Sequence, residues 1–271
     1  MTERIAQIAY VAKDGSRPFY YANAHEKDQV PLDLRAMPVG DARTLDASVD
    51  REGFQLVRHQ SAITDWTDRA ALEAIHRNEV AALIKVLTGA DEVQVTAPGI
   101  LRYSEKSGKA GSSDNSHPAR FVHIDINDVT AAQFATRGAG GRAFKRCAAY
   151  NLWRALSPAP QDIPLALCDV RTVASEDLIV ADAIFDPPAN AAGAPAPEWS
   201  FESWVVAHNP AHRWHFYSNL SADEAVLFKT NDSDPGRAHC MPHVAFDDPL
   251  APADAPPRVS IEMRATCYWW S

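Results

Sequence analysis

The segment Phe121-Val122-His123-Ile124-Asp125 ends an apolar run that has the character of a β-strand. Because side chains alternate between the two faces of a strand, His123 and Asp125 lie on the same face and can point at one ion. One imidazole and one carboxylate supply two of the three ligands in the two-histidine, one-carboxylate site of iron(II) oxygenases, which keeps further coordination positions open. The segment therefore predicts a metal site at a strand end, and a distant histidine must complete it.

The chain around this segment reads mainly as β-structure, and eight strand-like segments can be counted from residue 100 onward. Eight is the strand number of a jelly roll, in which two sheets fold over each other. We therefore expect a mainly β protein with flanking helices and a double-stranded β-helix (jelly roll, cupin-like) core. The segments are Ile100–Ser104, Arg120–Ile124, Tyr150–Leu156, Leu165–Val173, Arg213–Ser218, Ala225–Lys229, His243–Phe246 and Arg258–Trp269.

Several histidines downstream are candidates for the third ligand. In a metal-binding jelly roll the first two ligands follow the second core strand and the last ligand lies on the seventh. The strand count places His243 on the seventh strand, so His243 is the predicted third ligand. His212 and His215 remain its main rivals, and at most one of them could serve because they lie on opposite faces of their strand. The full set of candidates is His208, His212, His215, His239 and His243.

The last predicted strand carries a polar face made by Arg258, Ser260, Glu262 and Arg264, which repeat with period two. A guanidinium presents two parallel donors to a carboxylate, and a hydroxyl two residues along can add a third hydrogen bond. Arg258 and Ser260 are therefore predicted to hold the distal carboxylate of 2-oxoglutarate. Arg264 could replace or assist Arg258, since both lie on the same face.

The composition, with 271 residues of which 46% are hydrophobic and 23% charged, is that of a globular protein. We expect one domain over residues 1–271, with an N-terminal extension over about 1–95 and a jelly-roll core over about 96–271. Apolar residues recur at helical spacing from Asp68 to Leu87, and Gly89 follows as a C-cap. A second helix is predicted between Val129 and Arg146, although the Gly138–Gly141 cluster should break it or mark a loop. The proline-rich stretch Pro187–Pro197 is predicted to be a loop.

Charge and hydropathy exclude several classes of partner. The net charge of −9 and the lack of a basic run argue against nucleic acid, and no apolar run reaches the roughly 20 residues that cross a bilayer. No signal peptide is visible and the four cysteines form no C-x-x-C pair, so we expect a cytoplasmic protein with reduced thiols. The expected partner is a small-molecule substrate. A homo-oligomer is compatible with the sequence but not indicated by it.

Several segments taken together resemble the CmcJ/AsaB/NvfI-like family of non-haem iron(II), 2-oxoglutarate-dependent oxygenases, which includes cephamycin methoxylation proteins, gibberellin desaturase-like proteins and fungal endoperoxidases. The likeness covers nearly the whole chain. One departure is His215, where an aromatic residue such as tyrosine is expected. The matching segments are Gly53-Phe54, Ser61–Trp66, Tyr150–Arg154, Pro164–Asp169, His212–Trp214, Lys229 with Asp232-Ser233, Pro242–Pro249 and Pro257–Arg264.

This resemblance implies an oxidoreductase that uses Fe(II), 2-oxoglutarate and O2 to hydroxylate or desaturate a small, secondary-metabolite substrate, with succinate and carbon dioxide as coproducts. It does not identify the substrate. Asn151, Trp153 and Arg154, in a predicted core strand, are candidates for lining the substrate pocket. Two other classes stay open: a cupin-like metal-dependent hydrolase or isomerase, which would not need the R-x-S carboxylate holder, and a non-catalytic partner protein of a biosynthetic pathway.

Overall fold

The computed structural model describes residues 4–97, 99–109, 115–187 and 198–271, with β-strands as the main element. The strands are β1 Arg4–Val11, β2 Phe19–Tyr21, β3 Leu32–Asp41, β4 Phe54–Arg58, β5 Glu92–Val95, β6 Ile100–Tyr103, β7 Asn115–Ser116, β8 His123–Ile124, β9 Phe144–Ala155, β10 Leu165–Cys168, β11 Leu178–Phe185, β12 Trp199–Val206, β13 Trp214–Phe216, β14 Glu224–Asp232, β15 His243–Ala245 and β16 Val259–Trp270. The helices are α1 Arg69–Ala71, continued by a π-helical turn Leu72–His76, then α2 Arg77–Thr88 and α3 Asp128–Ala139.

Two sheets build the body of the protein. One sheet has the order β1-β3-β13-β10-β15-β8-β12-β11-β2, and the other has the order β4-β14-β9-β16-β6-β7, with β5 paired to β16. Each of the eight predicted segments contains one strand of the central blocks β13-β10-β15-β8 and β14-β9-β16-β6. The predicted double-stranded β-helix is therefore confirmed, and the strand count that singled out His243 follows the observed order.

The strands β11 and β12 lie outside this core and were not predicted. β11 and β12 form an antiparallel hairpin that pairs Leu178 with Val206 and Phe185 with Trp199. The hairpin is inserted between β10 and β13 and extends the sheet beyond β8. Because it joins the sheet at its side, it leaves the order of the core strands unchanged. Of the loop predicted between β11 and β12, residues 188–197 lie outside the described residues.

Several predicted strands are shorter than expected, among them the second and the fourth. The second segment, predicted over Arg120–Ile124, is a strand only at its last two residues. The fourth, predicted over Leu165–Val173, ends at Cys168, because Asp169 caps the 3₁₀ turn Val170–Thr172 by accepting a hydrogen bond from the backbone N–H of Arg171.

The predicted helices are present, with changed ends. The Asp68 carboxylate accepts hydrogen bonds from the first helical N–H groups, and Gly89 ends α2 in the left-handed conformation with a φ of 67°. The second helix begins earlier than predicted, at Asp128, and stops at Gly140 with a φ of 58°. The helix ends within the Gly138–Gly141 cluster, where a break or a loop was predicted. The residues that follow, predicted as helix up to Arg146, instead enter β9 at Phe144.

The two faces of β16 pack in different environments. Ile261, Met263 and Ala265 belong to apolar clusters that also contain residues of the N-terminal helix. The alternation of the strand therefore directs Ser260, Glu262 and Arg264 to the opposite face, inside the curled sheets. β16 therefore packs its apolar face against the N-terminal helix and places three polar side chains in the interior.

The N-terminal residues add strands to both sheets: β1 and β3 extend one sheet past β13, and β4 extends the other past β14. A buried ion pair fixes this segment to the core, because the Lys229 ammonium lies 2.7 Å from the carboxylates of both Asp50 and Asp232. All four cysteines are buried and free. Among the described residues, no helix is both long and apolar enough to cross a membrane.

Candidate metal centre and active site

His123, Asp125 and His243 converge at one point between the sheets. His123 on β8 and His243 on β15 are paired residues of neighbouring antiparallel strands, and the centroids of their rings are 4.3 Å apart. Nε2 of His243 lies 3.7 Å from the carboxylate of Asp125. One candidate ligand atom from each of the three residues lies within 4.8 Å of the other two. Among the residues that the structure describes, no other group of three histidine, cysteine or acidic side chains meets that spacing.

Backbone carbonyls orient both imidazoles in the same way. Nδ1 of His123 lies 3.0 Å from the carbonyl oxygen of Phe121, and Nδ1 of His243 lies 3.3 Å from that of Met241. In each ring Nδ1 therefore donates a hydrogen bond, which leaves the lone pair of Nε2 free to bind a cation. Burial, reinforced by the neighbouring His243, lowers the pKa of His123 to about 3. His123 is thus neutral at physiological pH, as a metal ligand must be.

The Asp125 carboxylate is held through both of its oxygens. Arg264 donates to Oδ1 over 2.8 Å, and the side-chain amide of Asn151 donates to Oδ2 over 2.9 Å. Burial alone would raise the pKa of Asp125, but Arg264 and the two histidines together lower it below its usual range. Nε of Arg264 also donates to Glu262 over 2.9 Å. Arg264, considered from the sequence as a 2-oxoglutarate anchor, therefore lies between two carboxylates of the protein itself.

Arg258 and Ser260 present polar atoms that have no partner among the described residues. Both side chains are buried, at 3% and 0% exposure. Nη1 of Arg258 donates to the carbonyl of Ile163 over 2.9 Å. Among the described residues, neither Nε of Arg258 nor the Ser260 hydroxyl has a hydrogen-bond partner. Two orphaned donors of the R-x-S type fit one carboxylate of a bound ligand, because a buried donor left unpaired is costly.

Two further arginines enrich this region in positive charge. Burial lowers the pKa of Arg258 to about 9, and the nearby guanidinium groups of Arg102 and Arg120 add to the shift. Arg102 lies opposite Ser260 in the pairing of β6 with β16. Its side chain makes no hydrogen bond or ion pair with any residue that the structure describes. Arg102 was not among the residues predicted to form the site. An arginine inside the otherwise apolar or aromatic strand Ile100–Tyr103 was the feature that could have indicated it.

A cavity of about 350 Å³ opens beside the triad. Its lining includes His123 and Asp125 of the triad together with Arg102, Arg120 and Arg264. The cavity therefore combines two candidate metal ligands with three guanidinium groups, but Asp28 and Glu105 line it too, and Arg258 and Ser260 do not. An anionic cosubstrate that must reach a metal would find both requirements met here.

The three residues predicted to line a substrate pocket have different positions. Asn151 borders a second cavity near the triad and bonds Asp125. Trp153 is buried in an apolar cluster, and its ring lies 5.3 Å from the guanidinium carbon of Arg258. Arg154 points to the other face of β9, where it donates to the carbonyls of His59 and Ala222 over 2.9 and 2.7 Å. Neither Trp153 nor Arg154 lines the cavities at the triad, and for Arg154 strand alternation is the reason.

The rival histidines lie elsewhere. Nδ1 and Nε2 of His212 are engaged with the Tyr10 hydroxyl at 3.2 Å and with Asp177 at 3.1 Å. The ring of His215 packs against that of Phe54, with centroids 5.9 Å apart. The structure thus brings only His243, of the histidines considered as third ligand, to His123 and Asp125.

Comparison with known proteins places the chain in a family. Residues 8–268 match the family described as "Oxidoreductase/YMDC permease-like domain". The chain is 30% identical over 266 residues to the alpha-ketoglutarate-dependent dioxygenase phiK of Fungal sp. (strain ATCC 74256), an alignment that covers 93% of this chain and 90% of phiK. It is 33% identical over 236 residues to the hydroxylase/desaturase efuI of Hormonema carpetanum, covering 82% of this chain and 79% of efuI.

A solved structure shows the same fold. The iron and alpha-ketoglutarate-dependent endoperoxidase NvfI superposes with a TM-score of 0.80 at 24% identity, over 100% of this chain and 99% of that chain. The family model covers residues 8–268, and the relatives named above include an alpha-ketoglutarate-dependent dioxygenase that matches 93% of this chain. The chain therefore belongs to this family of Fe(II)/2-oxoglutarate-dependent dioxygenases.

Proposed function

We propose that His123, Asp125 and His243 hold the Fe(II) of this dioxygenase, and that the enzyme oxidises a C–H bond of a small organic substrate. 2-Oxoglutarate and O2 are consumed, and succinate and carbon dioxide are the coproducts. The observation that carries the proposal is the convergence of three suitable ligand atoms within 4.8 Å. Two imidazoles and one carboxylate are the donor set of non-haem Fe(II) oxygenases.

The side chains around the triad have separate tasks in this proposal. Arg258 and Ser260 bind the distal carboxylate of 2-oxoglutarate, since their orphaned atoms are two donors for one anion. Arg102 adds positive charge from the neighbouring strand. The bound iron supplies the redox chemistry that couples decarboxylation of 2-oxoglutarate to oxidation of the substrate.

The protein itself fixes the geometry of the metal ligands. Asn151 and Arg264 donate to different oxygens of Asp125, and this restrains rotation of the carboxylate. Carbonyl oxygens hold Nδ1 of His123 and His243, so both rings present Nε2. All of these groups are at least partly buried, which limits the access of bulk water to the reacting centre.

The relatives support a role in secondary metabolism. The name of efuI describes a hydroxylase/desaturase, and that of phiK a dioxygenase. Hydroxylation and desaturation both begin with removal of hydrogen from a C–H bond, and the substrate pocket decides which follows. We therefore infer a small organic substrate of secondary metabolism for this chain.

The proposal is tested by supplying Fe(II), 2-oxoglutarate and candidate substrates and measuring succinate against oxidised product. We expect one succinate for each oxidised product, with activity lost in His123→Ala and Asp125→Ala. His212→Ala is the matched control, because it removes a buried histidine outside the triad and should retain turnover. Unchanged turnover in the two triad variants would contradict the assignment. Turnover without succinate would instead support the hydrolase or isomerase alternative.

A further inference from the structure

A second and larger cavity, of about 590 Å³, adjoins the one at the triad. Both cavities are lined by Ile100, Asp125, Phe185, Phe201 and Arg264. Because they share Asp125 and Arg264, the two spaces meet at Asp125, one of the three candidate metal ligands. A ligand in the larger cavity would therefore be close to the reacting centre.

Four aromatic side chains line one side of the larger cavity, and we call them the aromatic wall: Phe134, Phe185, Trp199 and Phe201. The rings of Phe185 and Trp199 are stacked, with centroids 4.4 Å apart and an interplanar angle of 17°. Phe201 lies 5.1 Å from Phe185, and Phe134 meets Phe201 edge-on at 5.5 Å. The wall thus joins α3 to the β11–β12 hairpin.

The wall exposes apolar surface that the fold does not bury. Trp199 is 53% exposed although it lies on a strand beside the cavity. Large apolar side chains left open at the edge of a cavity are typical of a ligand site. Flat rings stack and contact edge-on with other rings, so such a wall favours a ligand with ring systems.

The two cavities differ in the charged residues that line them. The smaller cavity is lined by Arg102 and Arg120 in addition to the shared Arg264, and also by the acidic Asp28 and Glu105. Arg102 makes no hydrogen bond or ion pair with a described residue, so an anion is favoured beside it. In the larger cavity the shared Asp125 and Arg264 already bond each other over 2.8 Å, and Arg137 is the remaining charged residue of the lining. Most of that lining is apolar or aromatic, which favours a mainly apolar ligand.

We propose that the larger cavity binds the organic substrate and that this substrate is a mainly apolar compound with a fused ring system, held by the aromatic wall. The inference rests on the proposed function, which places the iron at the triad. Ligand cavities commonly measure about 300–1,000 Å³, so 590 Å³ suits a multi-ring molecule.

The test uses the enzyme loaded anaerobically with Fe(II) and 2-oxoglutarate. Visible charge-transfer absorption reports that the 2-oxo acid is bound to iron. The loaded enzyme is then titrated with 1-aminoanthracene, an uncharged three-ring fluorophore whose emission rises in apolar surroundings. We expect saturable binding of one dye per chain. Phe201→Glu should weaken this binding at least tenfold, because it places an unpaired carboxylate in an apolar wall, and Trp199→Ala should weaken it several-fold.

Leu34→Glu is the matched control, since Leu34 is 62% exposed on β3 and borders neither cavity. It should bind the dye as the wild type does. Trp199→Ala alters a half-exposed side chain and should leave folding intact. Its dye affinity therefore tests the proposal if Phe201→Glu does not fold. Unchanged dye affinity in Trp199→Ala and in folded Phe201→Glu, or an equal loss in Leu34→Glu, would overturn the proposal.

Competition separates ring systems from other apolar ligands. 9-Anthracenemethanol should displace the dye, and 1-decanol should not; equal displacement by both would overturn the assignment of a ring-containing substrate. The charge-transfer absorption tests the proposed function, whereas dye binding tests the aromatic wall. Wild-type enzyme without the charge-transfer absorption would contradict the proposed function, while the response of the variants to the dye still decides whether the aromatic wall binds rings.

Discussion

Replacing Ser260 by alanine should weaken 2-oxoglutarate binding without lowering the stability of the protein. The hydroxyl is fully buried and donates to no described residue, so its removal breaks no hydrogen bond within the protein. A hydrogen bond from a hydroxyl to a charged carboxylate contributes about 1.5–3 kcal/mol. Its loss should therefore raise the Kd for 2-oxoglutarate by about 10- to 100-fold.

The assay is an anaerobic titration of the Fe(II)-loaded enzyme with 2-oxoglutarate, together with thermal unfolding in the absence of 2-oxoglutarate. Ser203→Ala is the matched control. Ser203 is also fully buried, but its hydroxyl is hydrogen-bonded to Tyr20 over 2.9 Å. This variant should lose about 1 kcal/mol of stability, or roughly 2–4 °C in Tm, and keep its 2-oxoglutarate affinity. If Ser260→Ala behaved like Ser203→Ala in both measurements, the carboxylate site would be refuted.

Three further predictions concern the surroundings of the triad and the stability of the fold. Arg264→Met removes a donor to Asp125 and should raise the Kd for Fe(II) about 10- to 100-fold in a metal titration; an unchanged Kd would contradict its positioning role. His212→Ala should lower the unfolding free energy by about 2 kcal/mol but retain one Fe(II) per chain, and loss of the metal would make it a ligand. The hydrogen bonds from Arg43 lower the pKa of Glu224 from 4.5 to about 2, so this pair stabilises the fold fully above pH 4.5 and progressively less as the pH falls to 2. Glu224→Gln should therefore lower Tm at pH 7 but not near pH 2, and a pH-independent difference would contradict this.

The sequence predicted the three residues that converge in the structure because the positions of two of them follow from local rules. Strand alternation places His123 and Asp125 on one face over three residues, and this needs no knowledge of distant contacts. The choice of His243 depended on counting strands. That count was sound because the unpredicted hairpin, Leu178–Phe185 with Trp199–Val206, extends the side of a sheet and does not enter the core order.

The partners of these ligands could not be predicted in the same way. Arg264 lies 139 residues beyond Asp125 in the chain, and their contact depends on the curling of two sheets. Arg258 and Arg264 share a strand face, so periodicity cannot tell which of them meets a protein carboxylate. Arg154 was assigned to a pocket by residue type, whereas its side chain bonds backbone carbonyls on the far face of the strand.

The roles of the sheet and of the hairpin explain how one fold can hold different substrates. The triad and the proposed carboxylate site are built on core strands, whereas three of the four rings of the aromatic wall lie on the inserted hairpin. Changes in the hairpin can alter the substrate cavity and leave the metal ligands in place.

The most direct test of this account is a crystal structure of the enzyme grown anaerobically with Fe(II) and 2-oxoglutarate. We predict one iron bound by Nε2 of His123, the carboxylate of Asp125 and Nε2 of His243, with the distal carboxylate of 2-oxoglutarate bound to Arg258 and Ser260. An iron bound by His212 or His215, or a distal carboxylate bound to Arg264, would contradict it.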